Sequence, residues 1–233
     1  MIEPVSESPS RQVGWSVLVA LAAGAIAGAL VGGVGGRLAM LLLRLTSPDL
    51  VSGMTTDDGF EIGVVTTDTL NLVAGMTLLG GINGVLYAVL RRGIPSRLRL
   101  PLWTLFGAVL GGATIVNDDG VDFTLLEPLA LAIALFVLLP GLASAVVVVL
   151  VEHWERSEPF ASRRQTIVLS ACAVAGTFAL VPAALAFLVL LAIERADVGR
   201  VVSRRATIVV TGALLVVCAV SVIDLVGTSR RIL

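Results

Sequence analysis

The sequence contains no lysine; all sixteen basic residues are arginine. A single histidine, His153, and two cysteines, Cys172 and Cys218, leave no Cys/His cluster and no C-x-x-C pair. The familiar zinc spacings and a thioredoxin-type pair are therefore excluded, and the cysteines read as membrane-buried free thiols, small apolar side chains in two different apolar runs. No H-E-x-x-H, G-x-S-x-G or P-loop is present. The run Gly32 to Gly36 is rich in glycine but is not followed by Lys-Ser or Lys-Thr, so it is not a nucleotide site. Charge is scarce, at 14% of residues against about 25% in soluble domains. A net charge of −1 gives no reason to expect nucleic acid as a partner. No enzyme and no cofactor is expected on these grounds.

What the chain has is apolar length. Hydrophobic residues make up 57% of it and fall in runs near or above the roughly 20 residues that cross a bilayer. The fold class is therefore all-α: one polytopic membrane bundle of about six transmembrane helices, covering 13–227. A disordered polar tail, 1–12, precedes it and a short tail, 228–233, follows. The first apolar run is not a secretory signal, because its leader is acidic (Glu3, Glu7) and the run continues from Val13 to Gly36.

The expected spans are 13–36 (with helix on to Leu45), 68–90, 101–116, 124–151, 166–193 and 206–226. Thr67 or Asp68 serves as an N-cap for the second. Pro101 stands in the first turn of the third. Thr124 with Glu127, and Ser162 with Gln165, form capping-box patterns. Pro140 and Pro182 are candidate kinks. In the first span Gly24, Gly28, Gly32 and Gly36 recur every four residues, making a ridge against which another helix backbone can pack. Gly80 and Gly84 in the second span, and Gly107 and Gly111 in the third, offer matching small faces. Packing within one chain is favoured over self-association into a homo-oligomer.

Arginine placement sets the orientation. With the N-terminus inside, Arg11, Arg91, Arg92, Arg97, Arg99, Arg156, Arg163, Arg164, Arg230 and Arg231 are cytoplasmic, and Arg37, Arg44, Arg195, Arg200, Arg204 and Arg205 are outside. The basic stretch 194–205 breaks the rule. Trp15, Trp103, Trp154 and Tyr87 group at the inner interface.

Several polar residues are candidates for more than topology. Arg37 and Arg44 follow the ridge and can pair with Asp57, Asp58 or Glu61 in the outer loop 46–67. A second outer loop holds Asp118, Asp119 and Asp122. Together these acids form an outer-face charge cluster; turn formation explains them better than a cation site, and no metal is assigned. Asn71 and Asn83 are intramembrane polar groups, read as interhelical hydrogen bonds before a solute path. Asp224 belongs near the end of the last span. Arg91, Arg92, Arg97 and Arg99 form a basic loop suited to anionic lipid headgroups.

Across Arg37 to Met40, Thr46 to Pro48, Thr56 to Gly63, Thr69 to Asn71 and Asp119 to Phe123, the chain resembles uncharacterised multi-pass membrane proteins of actinobacteria and related bacteria. The resemblance covers the first four expected spans. It implies a bacterial cytoplasmic membrane and brings no activity, ligand or site residue. The expected role is a non-enzymatic structural or accessory membrane subunit. A small transporter or channel with a polar path near Asn83 is the alternative, and an outer-face cation-binding protein the third.

Overall fold

The computed structural model describes residues 9–46, 68–116, 128–156 and 201–232. In chain order it contains α1 (Pro9–Ala27), a π-helical stretch (Gly28–Gly35), α2 (Gly36–Thr46), α3 (Asp68–Leu90), a 3-10 turn (Arg91–Gly93), α4 (Ser96–Ile115), α5 (Leu129–Glu155) and α6 (Val201–Ile232). Among the described residues, five helical segments are long and apolar enough to cross a membrane: Val13–Thr46, Thr69–Gly93, Ser96–Ile115, Leu129–Glu155 and Thr211–Arg231. The expected span 166–193, the capping-box patterns, Pro182, Cys172, and both outer loops with Asp57, Asp58, Glu61, Asp118, Asp119 and Asp122 lie outside the described residues.

Helix ends depart from expectation at several points. Helix α1 starts at Pro9, inside the expected tail, with proline in the first turn where its missing N–H is no loss. Helix α4 starts at Ser96, so Pro101 is inside it rather than at its start. Helix α5 begins after Pro128, whose carbonyl accepts from the N–H groups of Leu131 and Ala132. It runs through Pro140 and past Val151 to Glu155. Helix α6 continues to Ile232, through the expected C-terminal tail.

Two antiparallel pairs make the bundle. In the first, α1 lies against α3 with backbones in contact. A Cβ placed on Gly24 would strike the carbonyl of Gly80, one on Gly28 the carbonyl of Met76, and one on Gly84 the carbonyl of Ala20. In the second, α4 lies against α5. Gly107 faces Ser144 and the Pro140 carbonyl, Gly111 faces the Pro140 ring, and Gly141 faces Ala108. The glycines of α4 therefore meet α5, not α1 as the sequence reading allowed. Burial against lipid-like surroundings gives no hydrophobic gain, so close packing of this kind and interhelical hydrogen bonds hold such helices together. Between the pairs lies a core of Trp15, Val19, Tyr87, Trp103, Phe106, Val147 and Val151, which Leu214 and Cys218 of α6 complete. Met40, Leu43, Val116 and Phe136 form a smaller cluster toward the other end.

The glycine ridge does not run its full expected length. From Gly28 to Gly35 the helix is π-type, whose i→i+5 hydrogen bonds take roughly one more residue per turn than α. The contact face therefore slips by a position. Gly32 meets only the side chain of Met76, Gly33 takes the place against Val73, and a Cβ on Gly36 would meet nothing within 4 Å. The same slip turns Arg37 inward, and it is only 7% exposed. The long glycine run permits this because it has no side chains to crowd the widened turn.

Helix α6 lies along α4 in the same direction. The hydroxyl of Thr211 donates to the carbonyl of Gly93 at 3.0 Å, beside the start of α4, while Leu225 lies beside Gly112 near its end. An alternating six-span count requires these two helices to be antiparallel. Residues 211, 214, 218, 221, 225 and 228 alternate in steps of three and four, so they form one narrow seam along the helix. Leu214, Cys218 and Thr228 are its buried members.

The seam between α1 and α3 makes a prediction of opposite signs. Gly80→Ala adds a Cβ against the Gly24 carbonyl and the Gly28 backbone, and should lower stability by about 1–3 kcal/mol although alanine favours helix. Gly75→Ala, with open space at its Cβ, should be neutral or stabilising by up to about 1 kcal/mol. Thermal unfolding of the two variants in detergent measures the contrast.

Candidate functional site

The polar side chains that the fold brings together are at the end of the bundle where α3 turns into α4. Arg91, on the 3-10 turn, makes a two-point contact with Glu155 of α5. Its Nη2 donates to Oε1 at 2.5 Å and its Nη1 faces Oε2. Arg91 Nη1 is also 3.7 Å from Glu152 Oε1. That same oxygen accepts from Arg99 Nη1 of α4 at 2.9 Å and from the Tyr87 hydroxyl of α3 at 2.9 Å. Ser16 of α1 donates to Glu155 Oε1 at 2.6 Å and accepts from Arg91 Nη2 at 3.2 Å. Arg99 is itself held by a bond from Nε to the Ile94 carbonyl. Two guanidinium groups and two carboxylates thus balance, and every helix of the two pairs contributes.

Local structure explains the arrangement. Glu152 and Glu155 are three apart in the last turn of α5, so they share a face. That face continues Val148 and Val151, both buried. Tyr87 is one turn before Arg91, so its ring is fully buried while its hydroxyl reaches the charged layer. Partly buried guanidinium–carboxylate contacts of this kind are stronger than exposed ones, because water competes less.

A second polar group sits deeper. Asn83 of α3 donates from Nδ2 to Ser144 Oγ of α5 at 3.2 Å, and its Oδ1 accepts from Trp103 Nε1 of α4 at 3.2 Å. One amide therefore ties three helices. Trp103 packs its ring against Tyr87, at a centroid distance of 5.3 Å, and against Phe106 at 5.0 Å. An indole N–H can only donate, so the hydrogen-bond chain from Ser144 ends at Trp103. It joins the Tyr87–Glu152 layer by ring packing alone.

The sequence candidates are distributed around these groups. Of the basic loop, Arg91 and Arg99 are inside the ion-pair layer, whereas Arg92 and Arg97 are exposed. Arg37 is buried toward the other end of the bundle and Arg44 is half-buried. Asn71 and Asp224 are exposed on α3 and α6, away from Asn83, so these three intramembrane polar groups do not converge. Sequence reasoning missed Ser16, Tyr87, Trp103, Ser144, Glu152 and Glu155 as partners. The one signal for Glu152 and Glu155 was their spacing from Val148 and Val151, which extends the helix face beyond the apolar run. No group of three His, Cys, Asp or Glu residues able to share a metal occurs among the described residues.

Among the described residues, fold and site together define a helical bundle with five helices apolar enough to span a membrane, closed at one end by a charge-balanced layer. No family model, curated protein or solved structure matches the chain.

Arg91→Met and Glu155→Met should each destabilise the bundle, by less than the roughly 3–5 kcal/mol of a fully buried pair, because the two side chains keep 12% and 19% exposure. The double variant should lose clearly less than the sum of the two. A double-mutant cycle on thermal or denaturant unfolding in detergent checks this; additive losses would mean that the pair is not coupled.

Proposed function

We propose that this chain is an integral protein of a bacterial cytoplasmic membrane and acts as a non-enzymatic structural or accessory subunit. The observation that supports this reading most is the use of the interior polar groups. Asn83 bonds Ser144 and Trp103 across three helices, and Glu152, Glu155, Arg91, Arg99, Tyr87 and Ser16 are joined across four helices and the 3-10 turn. Polar groups spent on joining helices are not displayed to a solute. A transporter asks for polar groups converging near the midplane on interrupted helices; here α5 is continuous through Pro140, and glycine seams fill the spaces between α1 and α3 and between α4 and α5. The five helices long and apolar enough to cross a membrane among the described residues support the membrane assignment.

The proposed orientation puts the ion-pair layer at the cytoplasmic face, with the N-terminus. The start of α1, the end of α3, the start of α4, the end of α5 and the start of α6 share that face, through Ser16, Arg91, Arg99, Glu155 and Thr211. The C-terminus is then on the opposite face, with Arg230 and Arg231. Arg204 and Arg205, early in α6, become cytoplasmic in keeping with the positive-inside rule, while Arg230 and Arg231 move to the other side. An odd number of crossings replaces the even count of six.

Two measurements test these readings. A reporter active only outside the cytoplasm, fused after Leu233, should be active, and one that matures only inside should be silent; the reverse restores an even number of crossings. Extraction into polymer nanodiscs without detergent should yield a discrete assembly heavier than the 24.1 kDa chain. A lone chain that dissipates ion gradients in liposomes, and stops doing so as Asn83→Leu, would select the transporter instead.

A further inference from the structure

The ion-pair layer changes which arginines on its face are available. Where α3, the 3-10 turn, α4 and α5 meet at that end, Arg91, Arg92, Arg97, Arg99 and Arg156 carry positive charge and Glu152 and Glu155 negative charge. Both carboxylates are engaged by Arg91 and Arg99. Arg92, Arg97 and Arg156 are exposed, and no carboxylate among the described residues balances them. Each adjoins the neutral layer: Arg92 follows Arg91, Arg156 follows Glu155, and Arg97 is two residues before Arg99. They therefore stand next to that layer as three exposed guanidinium groups with no carboxylate partner among the described residues.

Their setting is apolar on one side. Leu98 and Leu100 are exposed beside Arg97 in the first turns of α4, at 46% and 45%, and Trp154 is half-buried beside Arg156. Exposed leucines next to arginine at the end of a membrane helix fit the headgroup boundary, where the alkyl part of the arginine side chain stays in apolar surroundings and the guanidinium reaches outward. Guanidinium groups pair with phosphate through two parallel N–H bonds, which a lysine cannot copy in geometry.

We propose that Arg92, Arg97 and Arg156 form a docking surface for the phosphate headgroups of anionic phospholipid, and that Arg91 and Arg99 take no part in it. The surface rests on the membrane placement proposed above and adds a specific lipid class and specific residues to it. Charge complementarity selects the occupant. Three unbalanced cations beside exposed leucines fit an anionic lipid, which supplies the phosphate and the acyl chains together. A zwitterionic lipid carries its own compensating ammonium group.

The test uses the full chain in nanodiscs of phosphatidylcholine alone, or of phosphatidylcholine with a minority of phosphatidylglycerol, with native mass spectrometry reading the lipids retained. The wild type should enter both kinds of disc and retain phosphatidylglycerol selectively. At about 1 kcal/mol per basic residue, Arg92→Gln/Arg97→Gln/Arg156→Gln should lower that selectivity about a hundredfold, with unfolding temperature in phosphatidylcholine unchanged because all three side chains are exposed. The corresponding triple lysine variant, which keeps the charge without the paired N–H geometry, should recover only part of the selectivity. Inorganic phosphate should not displace the lipid. Absence of selectivity in the wild type, or selectivity that survives the triple glutamine substitution, overturns the proposal. Failure of the wild type to enter phosphatidylcholine discs at all would instead contradict the membrane placement.

Discussion

Two helix backbones in contact set the distance on which the rest of the bundle depends. At Gly24, Gly28, Gly80 and Gly84 no side chain separates α1 from α3, and a single added carbon would meet a carbonyl of the facing helix. In a bilayer the lipid tails are as apolar as leucine, so burial alone gives little reason for helices to associate. Close approach supplies dispersion contacts, and it also brings side chains at the ends of the helices within hydrogen-bonding reach. Ser16 meets Glu155 and Arg91 because α1 lies this close to its neighbours. The π-helical stretch is a second consequence: the glycine run bends the pattern of contact by one position and carries Arg37 into the interior.

The polar groups complete what the glycines begin. Asn83 joins α3, α4 and α5 near the middle of the packed core, and the four-charge layer joins all the paired helices at one end. Such groups are costly when left alone in apolar surroundings, so each constrains where its partner helix can sit. The glycine seams set how near the helices come, and the polar bonds set how they are placed along and around one another. This division supports the reading of the interior as a scaffold. It also leaves a definite charge pattern at the surface, with Arg91 and Arg99 balanced and Arg92, Arg97 and Arg156 not.

Much of this was legible in the sequence, though unevenly. The bounds of α3, Asp68–Leu90, match the expected span because charged residues stand at both ends and none lies between them. The interhelical role of Asn83 was also readable, since an amide in an apolar run must find a partner; which partners it finds was not, because Trp103 and Ser144 are distant in sequence. Glu152 and Glu155 read as loop residues on charge alone, whereas helix periodicity places them on the buried face of α5. Gly36 read as the last member of the ridge because a period of four assumes an α-helix throughout. The direction of α6 was beyond reach, as an apolar run looks the same in either orientation, and only its contacts with Gly93 and Gly112 set it.

The central claim is that the ridge of α1 closes on α3 of the same chain. Leu21 and Val85 pack in one cluster beside that seam. Cross-linking a Leu21→Cys/Val85→Cys pair in native membranes, in a chain whose own Cys172 and Cys218 are replaced, measures this directly. A disulfide formed within a single chain, migrating as monomer, is the result this account predicts. A cross-link that forms only between two chains would contradict it and make the glycine ridge a surface for self-association.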